Sequence, residues 1–229
     1  MLDFVNSERH GHIITIEDPV EYIHKTKHCL FSQREIGTHT SSFSSALMSA
    51  LREDPDVILV GEMRDQETIH LALTAAEMGI LVMATLHTNG AAASIDRIIN
   101  SFSAGEEPYV RTMLSTSLIS VISQQLARKS DNKGRVPAVE ILINNSAVSN
   151  LIREGKNEQI ENVIQSGGML GMQRMDTALM RLVDANIITP EEAYFKARNK
   201  EDFEHMLDGH ELVEETASSE DEQHTVNLP

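Results

Sequence analysis

Three apolar runs of this sequence end in side chains able to handle a metal–phosphate ligand. Residues 12–16 (HIITI) lead into Glu17, Asp18 and Glu21. Residues 57–60 (VILV) lead into Glu62, Arg64 and Asp65, and residues 80–86 (ILVMATL) deliver Thr85, His87 and Thr88. A carboxylate can hold magnesium directly or through a coordinated water, because the ion is hard and keeps several waters. Another carboxylate can orient an attacking water, and cationic groups offset charge on a transferring phosphoryl group. Each feature alone has a plain structural reading: a surface acid closing a strand, a hydrogen-bonded histidine, an Asp-Pro turn. Their joint order and spacing point to a magnesium–phosphate site.

Such groups need a scaffold that brings strand ends together. VILV reads as a strand buried on both faces. Ser41 and Ser42 precede Phe43, Ala46, Leu47, Ala50 and Leu51, spaced for one helical face. Asp65 can cap a helix through Ile69, Leu73 and Ala76 that Gly79 stops. A helix over residues 91–102 and a long one over 106–128 are expected next. Strands alternating with helices imply crossover units and a mostly parallel α/β sheet covered on both faces. In open sheets of this kind, ligands bind beyond the carboxyl ends of the strands.

The turn SDNKGR (130–135) reads as the clearest break in the chain. One further strand, AVEILI (138–143), follows it, and the remainder reads as helical. Ser146 can cap residues 147–154. Met172, Met175, Leu179, Leu182 and Val183 form an apolar stripe suited to core packing. Thr189, Pro190, Glu191 and Glu192 form a capping box with proline at the first helical position. The expected organisation is an α/β domain over 1–144, a helical subdomain over 145–208 and a disordered acidic tail over 209–229, where six acids meet no Lys or Arg.

Composition limits the partners. The chain has 229 residues, with 19 basic against 35 acidic side chains, so its formal charge is 19 − 35 = −16. That balance disfavours broad binding to nucleic-acid phosphates. No run of 18 apolar residues suggests a membrane span, and the amino terminus does not read as a signal peptide. Cys29 is the single cysteine, so neither an internal disulfide nor a multi-cysteine zinc site is available. A reducing, cytoplasmic compartment is expected.

The stretch LREDPDVILVGEMRD (51–65) resembles the signature of the secretion-type hexameric ATPases: Leu-Arg, two variable residues, Pro-Asp, an apolar run, then Gly-Glu-x-Arg-Asp. TIEDPVE (15–21) resembles the family's Asp box and TLHTNGAAASIDRI (85–98) its His box. QREIG (33–37), LALTAAEMG (71–79) and GMQRMDTAL (171–179) are similar to the pilus retraction branch, the PilT and PilU type. The resemblance covers about residues 10–200 and implies a RecA-like α/β domain with a small carboxyl-terminal helical subdomain. It implies ATP as substrate and Mg²⁺ as cofactor, with Glu62 at the end of the Walker B strand binding the metal or its water. Glu17 and Glu21 would lie near the metal and the attacking water, Glu21 as a further metal contact, and either one could be the base. His87 would sense the γ-phosphate, and Arg64, Arg97 and Arg111 are candidates for phosphate or subunit-interface contacts. The resemblance further implies a cytoplasmic homohexamer, or a mixed ring with a paralogue, acting on an inner-membrane platform protein at the base of a type IV pilus.

Two departures stand out. The phosphate-binding loop G-x-x-x-x-G-K-[ST] does not occur in the 229 residues. Leu2, Phe4 and Val5 read as the end of the helix that would follow it, so the sequence is expected to start inside the nucleotide-binding domain. Second, Ser149 stands where retraction motors often have arginine. A non-catalytic ring subunit is therefore the alternative from another class. Type II secretion or pilus assembly ATPases are the alternative within the enzyme class, but they commonly carry a four-cysteine zinc element that one cysteine cannot build.

Overall fold

The computed structural model describes residues 1–207; the expected acidic tail lies outside them. Four parallel strands form the main sheet in the order β2-β1-β3-β4. They are β1 (Gly11–Glu17), β2 (Cys29–Glu35), β3 (Val57–Val60) and β4 (Leu81–Ala84). Three of them are the apolar runs anticipated above, and they are neighbours.

Pleating sends alternate residues of each strand to opposite faces. Ile14 and Ile16 of β1 and Ile58 and Val60 of β3 meet α2 (Phe43–Ala50) and α3 (Gln66–Glu77). Buried Phe43, Ala46, Leu47 and Ala50 make the apolar stripe of α2, and fully burying a side chain such as Leu47 contributes about 2 kcal/mol. Ser42 caps α2 by accepting from the Ser45 amide, and Asp65 caps α3 by accepting from the Thr68 amide. Ile13, Cys29 and Val57 face the other way, against Leu2 and Val5 of α1 (Leu2–Glu8). Thr15 and Glu17 share that second face.

Beyond β4 come α4 (Ala91–Ile99) and α5 (Glu107–Ser117). The long helix expected to reach residue 128 ends at Ser117. Residues 120–128 are instead strand β5 (Ser120–Arg128), paired antiparallel with β6 (Arg135–Ile143) in a separate two-stranded sheet. Pairing along the whole length of both strands overrides the helix-forming preference of Gln124, Gln125 and Leu126. The SDNKGR turn is thus the tip of a hairpin. Inward-facing Ala127 and Ala138 of that hairpin pack with Met175, Leu179, Ala193 and Phe203.

Those residues come from α8 (Met175–Asp184), α9 (Pro190–Lys196) and α10 (Glu201–Glu204). Between hairpin and α8 lie α6 (Ser146–Glu154) and α7 (Ile160–Ser166). Asn145, one residue before the expected Ser146, caps α6 by accepting from the Val148 amide. Met172, Met175 and Leu179 are buried, so most of the methionine stripe is core. Thr189 caps α9 as the capping-box pattern anticipates.

Candidate nucleotide and metal site

The carboxyl ends of β1, β3 and β4 converge because the strands pair in register. Backbone bonds continue past the strands: the Gly61 amide donates to the Ile16 carbonyl at 2.7 Å, and the Met63 amide to the Thr85 carbonyl at 3.1 Å. The Thr85 hydroxyl donates to the Gly61 carbonyl. A side chain at Gly61 would place its Cβ 3.0 Å from the Ile16 oxygen and 3.2 Å from the Glu17 Cα. Glycine relieves a close approach there, and Glu62 follows it beside the Asp-box turn.

Glu62 is the centre of the cluster. Its Oε1 lies 3.1 Å from Nε2 of His87, and its Oε2 accepts from Nε of Arg64 at 2.6 Å. Nη1 of Arg64 reaches to 4.0 Å from Oδ2 of Asp18. Glu62 is mostly covered, with 19% of its side chain exposed, whereas His87 is 86% exposed. The guanidinium therefore lies between the β3 turn and the β1 turn, and the imidazole is turned out to solvent.

The two Asp-box glutamates differ. Oε1 of Glu17 accepts from the Thr15 hydroxyl at 2.6 Å and from Nε2 of Gln33 at 3.1 Å. Glu21 is exposed, and among the described residues its carboxylate has no hydrogen bond or ion pair. Its loop is pinned on either side. The Val20 amide donates to Oε2 of Glu35 at 3.0 Å, and the Tyr22 carbonyl accepts from Gln33 at 3.0 Å. The Val20 amide, then the Thr38 hydroxyl, hold the Glu35 carboxyl below its ordinary value.

Arg97 and Arg111 are not joined to this cluster. Arg97 lies exposed in the last turn of α4. Arg111 pairs with Glu107 at 3.7 Å and donates to the Ile152 carbonyl at 3.5 Å, which places it between α5 and α6. Gln33, which positions Glu17, was missed by sequence reasoning as a site residue. Its only signal was the QREIG similarity. Ser149 is half-buried, and its hydroxyl donates to the Ser115 carbonyl at 2.8 Å, linking α6 to α5.

Among the described residues no three acidic, histidine or cysteine side chains converge to hold a metal alone. Glu62 and Asp18 carry hard oxygen donors on neighbouring turns, and magnesium is usually held by one or two carboxylates together with substrate phosphates and waters.

Residues 1–222 match the family described as "Type II/IV secretion system protein". The chain belongs to that family. Within it, the chain is 57% identical over 201 residues to "Twitching motility protein" of Neisseria gonorrhoeae, covering 88% of this chain and 54% of that protein. It is 56% identical over 203 residues to "Type IV pilus retractation ATPase PilT" of Pseudomonas aeruginosa, covering 89% of this chain and 59% of that protein. The solved structure "Crystal Structure of the Pilus Retraction Motor PilT and Bound ADP" superposes with a TM-score of 0.82 at 47% identity, covering 90% of this chain and 58% of that one. The chain thus spans little more than half the length of these secretion-family relatives. Among the described residues no helix is long and apolar enough to cross a membrane.

Proposed function

We propose that this chain forms the metal-binding and sensor part of a cytoplasmic hexameric ATPase that powers type IV pilus retraction. The observation that carries the reading is Glu62, held between Arg64 and His87 beside the Asp-box turn, in a family whose relatives include a retraction motor with bound ADP. The ring would be built from copies of this chain or shared with a paralogue. Its load would be an inner-membrane platform protein. We propose a division near residue 144, with the helices beyond it as a separate subdomain.

The chemistry follows from the side chains. Mg²⁺ bound with ATP supplies charge neutralisation at the phosphates. Glu62 would hold it through a coordinated water, since both carboxylate oxygens already have partners. Glu21 is the free carboxylate and accepts the proton of the attacking water, whereas Glu17 is committed to Thr15 and Gln33. His87 faces the terminal phosphate and reports its presence to Glu62. Arg64 keeps the two turns in register. Arg97 and Arg111, away from the cluster, are proposed as subunit-interface residues.

Arg64 contacts two carboxylates, Glu62 and Asp18, and Glu17 and Glu21 add two more on the same Asp-box segment. Such a cluster repels a polyphosphate unless other positive groups join it. No phosphate-binding loop occurs in the 229 residues, so this chain by itself binds Mg-ATP weakly and turns it over negligibly. Micromolar affinity for residues 1–229 by isothermal titration would overturn that statement.

The function is tested in a chimera. The gonococcal relative keeps its own amino-terminal part and takes residues 10–207 from this chain. The chimera hydrolyses ATP, and Glu62→Gln abolishes the hydrolysis. A folded, active chimera indifferent to Glu62→Gln would refute the assignment.

A further inference from the structure

The turn after His87 rests on a buried carboxylate, Glu140, paired with the partly exposed Arg198 in a contact that the proposed chemistry does not use. Glu140, in β6, is 1% exposed. Its Oε1 accepts from the Ala91 amide at 2.7 Å, at the amino terminus of α4. The same oxygen accepts from Nη2 of Arg198 at 3.1 Å. Nη2 of Arg198 also donates to the Asn89 carbonyl at 3.3 Å. Alongside, the Gly90 amide donates to the Ser123 hydroxyl at 3.0 Å, and the hydroxyls of Thr88 and Ser94 lie 2.7 Å apart. Gly90 has φ +108, and a Cβ there would fall 1.5 Å from Nη2 of Arg198.

Arg198 belongs to the carboxyl-terminal helices. It sits between α9 and α10, and its amide donates to Oδ1 of Asp176 in α8 at 2.9 Å. Its Nη1 lies 3.8 Å from Glu161 of α7, and Arg174 lies 3.6 Å from Glu161 and 3.8 Å from Asp176. One guanidinium therefore touches β6, the His87 turn and α7, while its backbone is tied to α8. A buried carboxylate deprived of its cation is strongly destabilised. Separating the turn from the helices would leave Glu140 buried with the Ala91 amide as its remaining donor.

We propose that Arg198 is a positioning residue: through Glu140 and Asn89 it fixes the turn carrying His87 and makes the placement of that turn depend on α7–α10. The coupling is reciprocal, because any free energy by which the helices bias the turn is the same by which the turn biases the helices. A change at His87 is thereby felt at the carboxyl-terminal helices. The proposal rests on the ATPase reading only for the role given to His87.

The test is hydrogen–deuterium exchange on the 229-residue chain with no nucleotide present. Two variants are compared with the parent: Arg198→Lys, which keeps the charge but loses the two-pronged reach, and Glu140→Gln combined with Arg198→Met, which leaves no unpaired buried charge. Amides 87–91 exchange about tenfold faster in the double variant and at an intermediate rate in Arg198→Lys, while amides 57–60 of β3 are unchanged. Gly90→Ala, made at the other end of the contact, speeds exchange over 197–203. Parent-like rates at 87–91 in either folded variant, with loosening confined to 193–204, would overturn the proposal. Because nucleotide is absent, that failure would leave the ATPase reading intact. Loss of the ATPase reading would in turn leave the exchange result standing.

Discussion

His87 and Glu62 are joined across two strand tips at 3.1 Å, yet the imidazole is 86% exposed and the carboxylate only 19%. The contact is a surface interaction for one partner and an anchored one for the other. Exposed pairs of this kind contribute about 0–1 kcal/mol to stability. His87→Ala should therefore leave the melting temperature of the 229-residue chain within a few degrees of the parent. In the ATP-hydrolysing chimera the same change should lower turnover by about 100-fold. A large loss of stability with unchanged turnover would make His87 a structural histidine.

Gly61, just past β3, lies against the end of β1. Adding a methyl group would press on the Ile16 carbonyl and the Glu17 backbone, neither of which is the flexible end of a side chain. Overpacking of this sort costs about 1–3 kcal/mol. Gly61→Ala should lower the urea midpoint accordingly and slow turnover in the chimera, since Glu62 moves away from the Asp-box turn. An unchanged midpoint would show that the strand tips part without strain.

The strands that carry the candidate site are more legible in the sequence than the body around them. β1, β3 and β4 are short apolar runs closed by charged residues, and the caps at Ser42, Asp65 and Thr189 stand beside their helices. β2 was not anticipated, because CLFSQRE is an edge strand with a mostly half-buried, polar-rich pattern and little alternation. β5 was misread as helix because its residues suit either state and its partner lies beyond a turn, in β6. The Glu140–Arg198 contact was invisible for the same reason: it joins residues remote in sequence, and neither sits in a recognisable motif.

Acidification should release the Asp-box loop. Glu35 is held below its ordinary value chiefly by the Val20 amide, then by the Thr38 hydroxyl. A carboxylate depressed by folding stabilises the native state fully above its unfolded value, and the contribution is lost as pH falls through the depressed one. The Val20 amide should keep its protection from exchange at neutral pH and lose it as pH drops below the ordinary glutamate range. Glu35→Gln should remove most of that pH dependence. A Val20 amide whose protection is the same in parent and variant across this range would mean that another contact holds the loop.

Glu17 and Glu21 separate a structural carboxylate from a reactive one. In Glu17→Gln the amide oxygen can still accept from Thr15 and Gln33, so the fold should be kept. Glu17→Ala leaves the fully buried Thr15 hydroxyl without its acceptor, at a cost of about 1–3 kcal/mol. Glu21 has no partner to lose, so Glu21→Gln should not change the urea midpoint. If Glu21 accepts the proton from water, turnover in the chimera should fall by about 100-fold in Glu21→Gln and by much less in Glu17→Gln. The opposite ranking would move the base to Glu17 and make its two donors part of the reaction, because Thr15 and Gln33 would then aim the oxygen that takes the proton.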